Sequence, residues 1–555
     1  MSFLLVFFFC FVTSIYFFGF GYLSNRFIYK LPITDNVIQF SFFGLFSLSF
    51  LALFANFFIS LNLYFNSIII LTSIFYLFFL EKKLVIKILK YSIIISIISS
   101  LTIVLDNTNR PDSGLYHLPY TSLLNENKLV FGVANLNERF GIASILQYIS
   151  ALNYNFIFLE NGILIPLVMI YSTVIIFFFL KIFDSSESNI LKILSFLFFT
   201  FILTNMNRYS GFGNDAPANL FYFVLTYYFL KYKNDIFVDT QFKILVLITV
   251  YIFLIKPFFV LLFIIPLIFL ISNYRDVRIF SLSNIICLVV IVLWLIKNLF
   301  ITGCFLYPIN FTCLHTLDWS INPYLISLES EAWAKGWPDR YDKSLNYNEF
   351  LKNFYWIKVW TSNHFKFIII KLLPFFLILI IISTIIISKN KKINVIKEKK
   401  YNQLIIVNIS LLSCWFLIFP AYRFGLGIIG VFISLLFINF FFKRIIVDNS
   451  LLYKSIILIV FLCSSTIVFK NLNRIYNNYS LNYVDYPWPK KNSHYEKNNK
   501  LINVPVKYNG KTSHYTTPSK ELCFYSKSPC THLRNLKVRK DKYLNFYEKY
   551  TIDKR

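Results

Sequence analysis

"ILKYSIIISIISSLTIVLDNTNRPDSGLYHLPY" (residues 88–120) is the stretch whose reading decides the fold. Residues 88–105 carry one charge, Lys90, and approach the roughly 20 residues a helix needs to cross a hydrocarbon layer. The run then stops in a short segment that holds Asp106, Arg110, Asp112 and His117. The same alternation of long apolar run and polar break recurs along the chain. It predicts spans at roughly 2–22, 38–61, 63–80, 88–105, 155–182, 190–206, 216–231, 242–255, 257–272, 280–297, 366–388, 403–420, 424–442 and 453–470, about fourteen in all. The pair within 242–272 is long for one span and short for two, and Lys256-Pro257 in its middle predicts a hairpin tip or a break. "MSFLLVFFFCFVTSIYFFGF" (1–20) has no basic lead-in and no small-residue cleavage site, so it reads as a first span.

Composition agrees. The 555 residues are 57% hydrophobic, with a mean hydropathy of +0.62. A water-soluble chain of that kind could not cover its apolar surface. The expected class is therefore an all-α polytopic membrane protein. Phe, Ile, Lys, Asn and Tyr are all abundant, as an AT-rich coding sequence produces, so the 66 Phe carry no function by themselves. A net charge of +27 invites a nucleic-acid reading. The basic residues instead lie mostly in loops between apolar runs and in the C-terminal segment. They read as topology signals with affinity for anionic membrane lipids, and no nucleic-acid partner is expected.

Sidedness follows from the short basic loops. "SKNKKINVIKEKKYNQ" (388–403) is the strongest, and the loops at 81–87, 231–243, 273–278 and 442–454 alternate onto the same, cytoplasmic side. Both termini then face outward. This divides the chain into N-terminal spans (1–105), a first large outer loop (106–154), spans (155–297), an outer loop (298–365), spans (366–470) and a small C-terminal extracytoplasmic domain (471–555), irregular or β-containing. That basic outer domain strains the charge rule but does not overturn it, because long segments translocate largely regardless of charge.

The outer face collects the unusual chemistry. If "DSGLYHLPYTSLLNENK" (112–128) is helical, Asp112 and Tyr116 share a face at i, i+4. "NERFGIASILQYISALNY" (137–154) predicts a second amphipathic helix, so the loop reads as an acidic turn plus two helices along the membrane surface. The bland alternative is a solvated loop with an N-capping Asp. Asn214 and Asp215 open a span, with Arg208 just before. Glu160 sits two turns into the span from 155. Lys256 lies among apolar residues, Lys297 and Asn298 end a span, and Arg423 occupies a tight turn in "PAYRFGLG" (420–427). Snorkelling explains any one of these, and is the default for Lys297. Charges of both signs recurring at outer span ends predict a shared polar cavity, with cations for an anionic substrate around a carboxylate able to act as base.

These residues carry a resemblance. "RPDSGLYHLPY", the two helices expected after it, "KNLFITGCFLYP" and an Arg in a late outer turn resemble the GT-C class of membrane glycosyltransferases. More narrowly, "DSGLYHLP", "ANLNERFG" and "RFGLG" are similar to a group of bacterial membrane proteins found with surface-polysaccharide genes. Two departures stand out: Cys304 and Phe305 replace an Asn-Pro common in the class, and Ser113 follows Asp112 where many relatives have Glu. The resemblance implies an enzyme of the inner (plasma) membrane, multi-pass, with its active face extracytoplasmic. It would transfer a hexosyl or pentosyl group from a polyprenyl-phosphate-linked donor to a glycan or lipid acceptor. It implies Asp112 as base, Arg423 as phosphate ligand, Lys256 and Lys297 as weaker phosphate ligands, and Tyr116, His117 and Asp215 around the acceptor. Arg208 joins the substrate-binding set, and Asp106 is the alternative base, otherwise a structural end-cap.

No P-loop or GxGxxG appears, so ATP-driven transport is unsupported. No metal-ligand spacing is present and no cofactor is expected, with a divalent metal left open. Cys10, Cys287, Cys414 and Cys463 fall in spans as apolar fillers, whereas Cys304 with Cys313 and Cys523 with Cys530 form local pairs on the oxidising side, suited to disulfides. Two further readings compete: a non-catalytic transporter or polymerase-like protein for lipid-linked oligosaccharide, which predicts polar residues spread through the bundle's depth, and a scaffold whose tail binds a partner, which predicts no convergent pocket.

Overall fold

The computed structural model describes residues 3–32, 37–106, 110–231, 238–388, 399–441, 450–478, 504–508, 511–517, 522–533, 536, 538–544 and 546–552. Helices run in the order α1 (Phe3–Ser24), α2 (Ile38–Asn56), α3 (Leu63–Tyr76), α4 (Lys82–Leu105), α5 (Leu118–Glu126), α6 (Ile145–Leu152), α7 (Ile165–Phe183), α8 (Asn189–Asn205), α9 (Asp215–Lys231) and α10 (Val238–Ile255). There follow α11 (Ile264–Ser272), α12 (Leu282–Thr302), α13 (Tyr324–Ala334), α14 (Tyr347–Leu351), α15 (Trp356–Trp360), α16 (Lys366–Ser388), α17 (Lys399–Ile418), α18 (Tyr422–Phe441) and α19 (Ser450–Asn478). Five strands close the chain: β1 (Val504–Tyr508), β2 (Lys511–Thr516), β3 (Cys530–Thr531), β4 (Val538–Tyr543) and β5 (Tyr547–Ile552). β1 and β2 pair antiparallel, β2 and β3 parallel, and β4–β5 is a separate antiparallel ribbon.

Among the described residues ten helices are long and apolar enough to cross a membrane, and three shorter apolar helices accompany them (Leu63–Phe79, Asn189–Asn205 and Pro257–Ser272). α2, α7 and α9 are almost wholly buried and form the centre. α4, α12, α16 and α17 instead turn Ile93, Ile97, Leu288, Leu373, Leu377, Ile380, Ile406 and Ile409 outward. Apolar exposure on that scale, on helices of membrane-crossing length, suits a hydrocarbon solvent. Without a hydrophobic drive between spans, close backbone approach holds them together. At the α1–α2 crossing a Cβ on Gly44 would sit 1.8 Å from the Phe17 carbonyl oxygen, and one on Gly21 1.8 Å from that of Phe40. The Lys256-Pro257 break is a hairpin tip: the Phe253–Phe263 and Phe242–Phe269 ring pairs show α10 and the following helical stretch running antiparallel.

Several boundaries differ from expectation. Residues 137–154 are not one surface helix. A 3-10 turn (Glu138–Ile142) ends where Ala143 and Ser144 extend, and a Ser144–Gln147 capping box restarts the chain as α6, buried along its whole length. The segment from 112 also lies inside the protein, because residues 522–531 cover it: Phe524 N donates to the Gly114 carbonyl (3.1 Å), Ser122 Oγ to that of Ser526 (2.5 Å), and Ser528 N to Glu126 Oε2 (3.0 Å). Glu160 is exposed in a 3-10 turn at the very start of the apolar helical run Leu159–Phe183, not two turns into it. α12 continues to Thr302, the apolar helical run that leads into α16 begins at Trp356 in place of 366, and α19 extends to Asn478. In each case hydropathy falls before the backbone ladder ends.

Cys304–Cys313 and Cys523–Cys530 are disulfide-bonded. The strands dock at the end of the bundle that carries residues 106–154: Phe131 N donates to the Glu548 carbonyl and Tyr550 N to that of Phe131, both at 2.9 Å, and Lys549 Nζ meets Asp318 (2.5 Å).

Candidate functional site

Asp106 is a structural carboxylate. It is buried, its Oδ2 accepts from the backbone N–H groups of Tyr209 (2.6 Å) and Ser210 (2.9 Å), and its Oδ1 faces Arg110 Nη2 at 3.1 Å. These bonds tie the end of α4 to the loop before α9. The arginine stem lies against Gly211, where a Cβ would come within 3.0 Å of Arg110 Cδ.

Six residues on, the chain presents a different acid. Pro111 starts a helical turn that widens into a π-helix over Ser113–His117, and Asp112 caps it. Its Oδ2 lies 3.5 Å from Arg423 Nη1, while Arg423 Nε lies 3.5 Å from Asp215 Oδ2. Asp215 opens α9, where the helix dipole favours a carboxylate. Its other oxygen is in contact with Lys256 Nζ, and that ammonium sits 3.4 Å from the Phe424 ring centroid. Four separate elements thus bring two carboxylates and two cations together. The Arg423 contacts are longer than the 2.7–2.9 Å or so of a tight charge-assisted bond. With Arg423 61% and Asp112 37% exposed, that pair contributes at most about 1 kcal/mol to the fold. It is a loose arrangement that a ligand can re-partner.

The scaffold beneath is tight. Asn219, fully buried one turn into α9, donates to the backbone carbonyls of Asp215 (2.8 Å) and Arg423 (3.2 Å) and accepts from Gly427 N (2.9 Å). A Cβ at Gly427 would stand 2.7 Å from Asn219 Oδ1, and one at Gly425 2.6 Å from the Trp415 ring. The indoles of Trp360 and Trp415 donate to the carbonyls of Pro420 and Ala421, fixing the turn that carries Arg423. "RFGLG" is therefore an arginine set on a helix start, followed by two positions kept bare for its neighbours.

Tyr116 and His117 line the buried side. Burial, reinforced by the Asp112 charge, keeps the Tyr116 phenol protonated well above its usual range. Gln147 Oε1 accepts from Ser144 N (2.7 Å), so its amide nitrogen donates to His117 Nδ1 (2.8 Å), which leaves the ring proton on Nε2. His117 opens on a cavity of about 10 Å³, room for one water, beside Asn214, whose buried Oδ1 has no partner among the described residues. Burial, only partly offset by Asp112 and Asp215, pulls the His117 pKa down to about 4. The unfolded chain takes up this proton near 6.5 and the folded chain only near 4, so stability falls as pH drops through that window. The expected loss is on the order of 3 kcal/mol. Unfolding midpoints in detergent between pH 7.5 and 4.5 should fall less steeply for His117→Gln; equal slopes would reject the assignment.

Two expected members stand elsewhere. Lys297 is fully buried, its ammonium 3.6 Å from the Trp294 ring centroid and 3.3 Å from the Ala143 carbonyl oxygen. Arg208 is exposed near Lys371 of α16. Sequence reasoning missed Asn219, Gly427 and Gln147. A signal for the first two existed: Asn219 follows Asp215, and Gly427 follows Arg423, each by four residues, one helical turn.

A family model described as a domain of unknown function (DUF8201) matches residues 2–430, which include every residue of this cluster. No curated protein and no solved structure matches the chain.

Proposed function

The chain belongs to this family of unknown function, DUF8201, and from that premise we propose that it is a GT-C-like glycosyltransferase of the plasma membrane. About fourteen segments would span the bilayer, with the acidic and basic cluster on the extracytoplasmic face. The donor is a polyprenyl-phosphate-linked sugar and the acceptor a cell-surface glycan or lipid. The observation that carries the reading is the meeting of Asp112, Asp215, Lys256 and Arg423 at one end of the bundle. A lipid-phosphate sugar needs this combination: cations to hold the departing phosphate and a carboxylate to take a hydroxyl proton.

In the proposed step the acceptor hydroxyl oxygen bonds to the anomeric carbon while the bond from that carbon to the phosphate oxygen breaks. The hydroxyl proton passes to Asp112. Polyprenyl phosphate leaves as an anion held by Arg423 and Lys256, and Asp215 keeps both cations in place. Tyr116, as a neutral phenol, and His117 flank the acceptor. Lys297 has no part in this step, because it is held against Trp294 and the Ala143 carbonyl. Clustering at one end favours an enzyme over a transporter, which would distribute such groups along a path. The full chain in vesicles, offered polyprenyl-phosphate sugars with membrane glycan acceptors, should release polyprenyl phosphate from at least one donor. Release from none, with folded protein, rejects the reading.

A further inference from the structure

The opposite end of the bundle carries a second, unrelated basic site. A cavity of about 240 Å³ opens where the end of α1, the start of α10 and the start of α12 meet, and Lys30, Lys243, Arg278, Ser281 and Ser283 line it. Lys243 lies within α10 and Lys256 just beyond its end, thirteen residues apart, so this cavity is about 20 Å along the helix from the Asp215–Lys256 contact. Two of the three lining cations share one carboxylate: Asp239 Oδ2 contacts Lys243 Nζ (2.8 Å) and Arg278 Nη2 (3.4 Å), and its Oδ1 accepts from Arg278 N (2.9 Å). Lys30 pairs with no carboxylate among the described residues.

α12 begins at the cavity: Ser281 is its N-cap, with its side chain accepting from Asn284 N (3.4 Å), and the positive end of the helix lies at this start. Independently, Ser283 is 1% exposed and its Oγ has no hydrogen-bond partner among the described residues, although it lines the cavity. A buried hydroxyl left unpaired costs about 1–3 kcal/mol unless something else binds it. The excess positive charge, the helix start and the unpaired hydroxyl all suit one kind of group, a tetrahedral oxyanion. The rim adds a further property: Phe280 is 87% and Leu282 49% exposed. Apolar side chains around a cationic mouth match a molecule with a phosphate head and acyl tails.

We propose that this cavity binds a phosphate group, carried by an anionic membrane lipid or presented as a free anion. It is separate from the glycosyl-transfer cluster and does not depend on that reading. A bound headgroup would bridge the segment after α1, α10 and the start of α12, and of these α10 runs on to Lys256 at the candidate site.

The test uses the full chain in detergent, with native mass spectrometry and unfolding midpoints as readouts. Wild-type protein is exposed to phosphatidylglycerol, to phosphatidylcholine and, separately, to inorganic phosphate. The comparison is the double variant Lys30→Gln/Arg278→Gln, whose exposed positions leave the fold intact, together with Ser283→Ala. Retention of phosphatidylglycerol over phosphatidylcholine, weakened about tenfold or more in the double variant, assigns the site to a lipid headgroup. Saturable binding of inorganic phosphate that displaces the lipid, lost in the same variants, assigns it to the free anion. If wild type and variants bind both probes alike, the proposal is overturned.

Discussion

Replacing Asp112 by Asn lowers polyprenyl phosphate release by about 10²–10⁴-fold, the range for removing a general base. The substitution keeps side-chain volume and removes only the ability to accept the proton. Its structural cost is small, because the one ion-pair contact of Asp112 among the described residues is the half-exposed one to Arg423 at 3.5 Å. The unfolding midpoint should therefore stay within a degree or two of wild type while activity collapses. Asp106→Asn separates the two acids in the opposite sense. Its bonds to Tyr209, Ser210 and Arg110 organise the loop before α9, so stability falls together with activity. If Asp112→Asn retains wild-type turnover, Asp112 is not the base.

Arg423→Gln lowers kcat/KM for the lipid-linked donor by about 10²–10³-fold, as expected when one charge-assisted clamp on a developing anion is lost. Arg423→Lys restores only part of this. An ammonium is a point charge and cannot reproduce the paired N–H geometry that a guanidinium offers a phosphate. Steady-state release kinetics with varied donor provide the measurement. A purely structural role predicts instead that both variants lower the unfolding midpoint and leave the kinetics of the surviving folded protein unchanged. The structure argues against such a role, since the turn is held through the carbonyls of Pro420, Ala421 and Arg423, which no side-chain change removes.

Much of this site was legible beforehand because its members break the hydrophobic pattern. Asp112, Asp215, Lys256 and Arg423 each stand as a charge at the end of an apolar run, and a charge there needs a reason. Lys297 satisfied the same rule and yet lies elsewhere, against Trp294 and the Ala143 carbonyl. Hydropathy registers that a cation is buried, but not which neighbours solvate it. The two expected surface helices failed for a related reason. Amphipathic periodicity identifies an apolar face without identifying what covers the polar one, and here residues 522–531, some four hundred positions downstream, lie over the segment that follows Asp112.

Run length and close spacing along the chain were enough to reveal the long apolar helices and the two cysteine pairs, because both are short-range properties. That Asp106 is a fastener and Asp112 accessible, and that Asn219 and Gly427 lock α9 to α18 beneath Asp215 and Arg423, emerges from helix packing alone. Those distinctions rest on hydrogen bonds between residues one hundred to two hundred positions apart. No local pattern encodes such partners, because helix packing chooses them after each helix has formed.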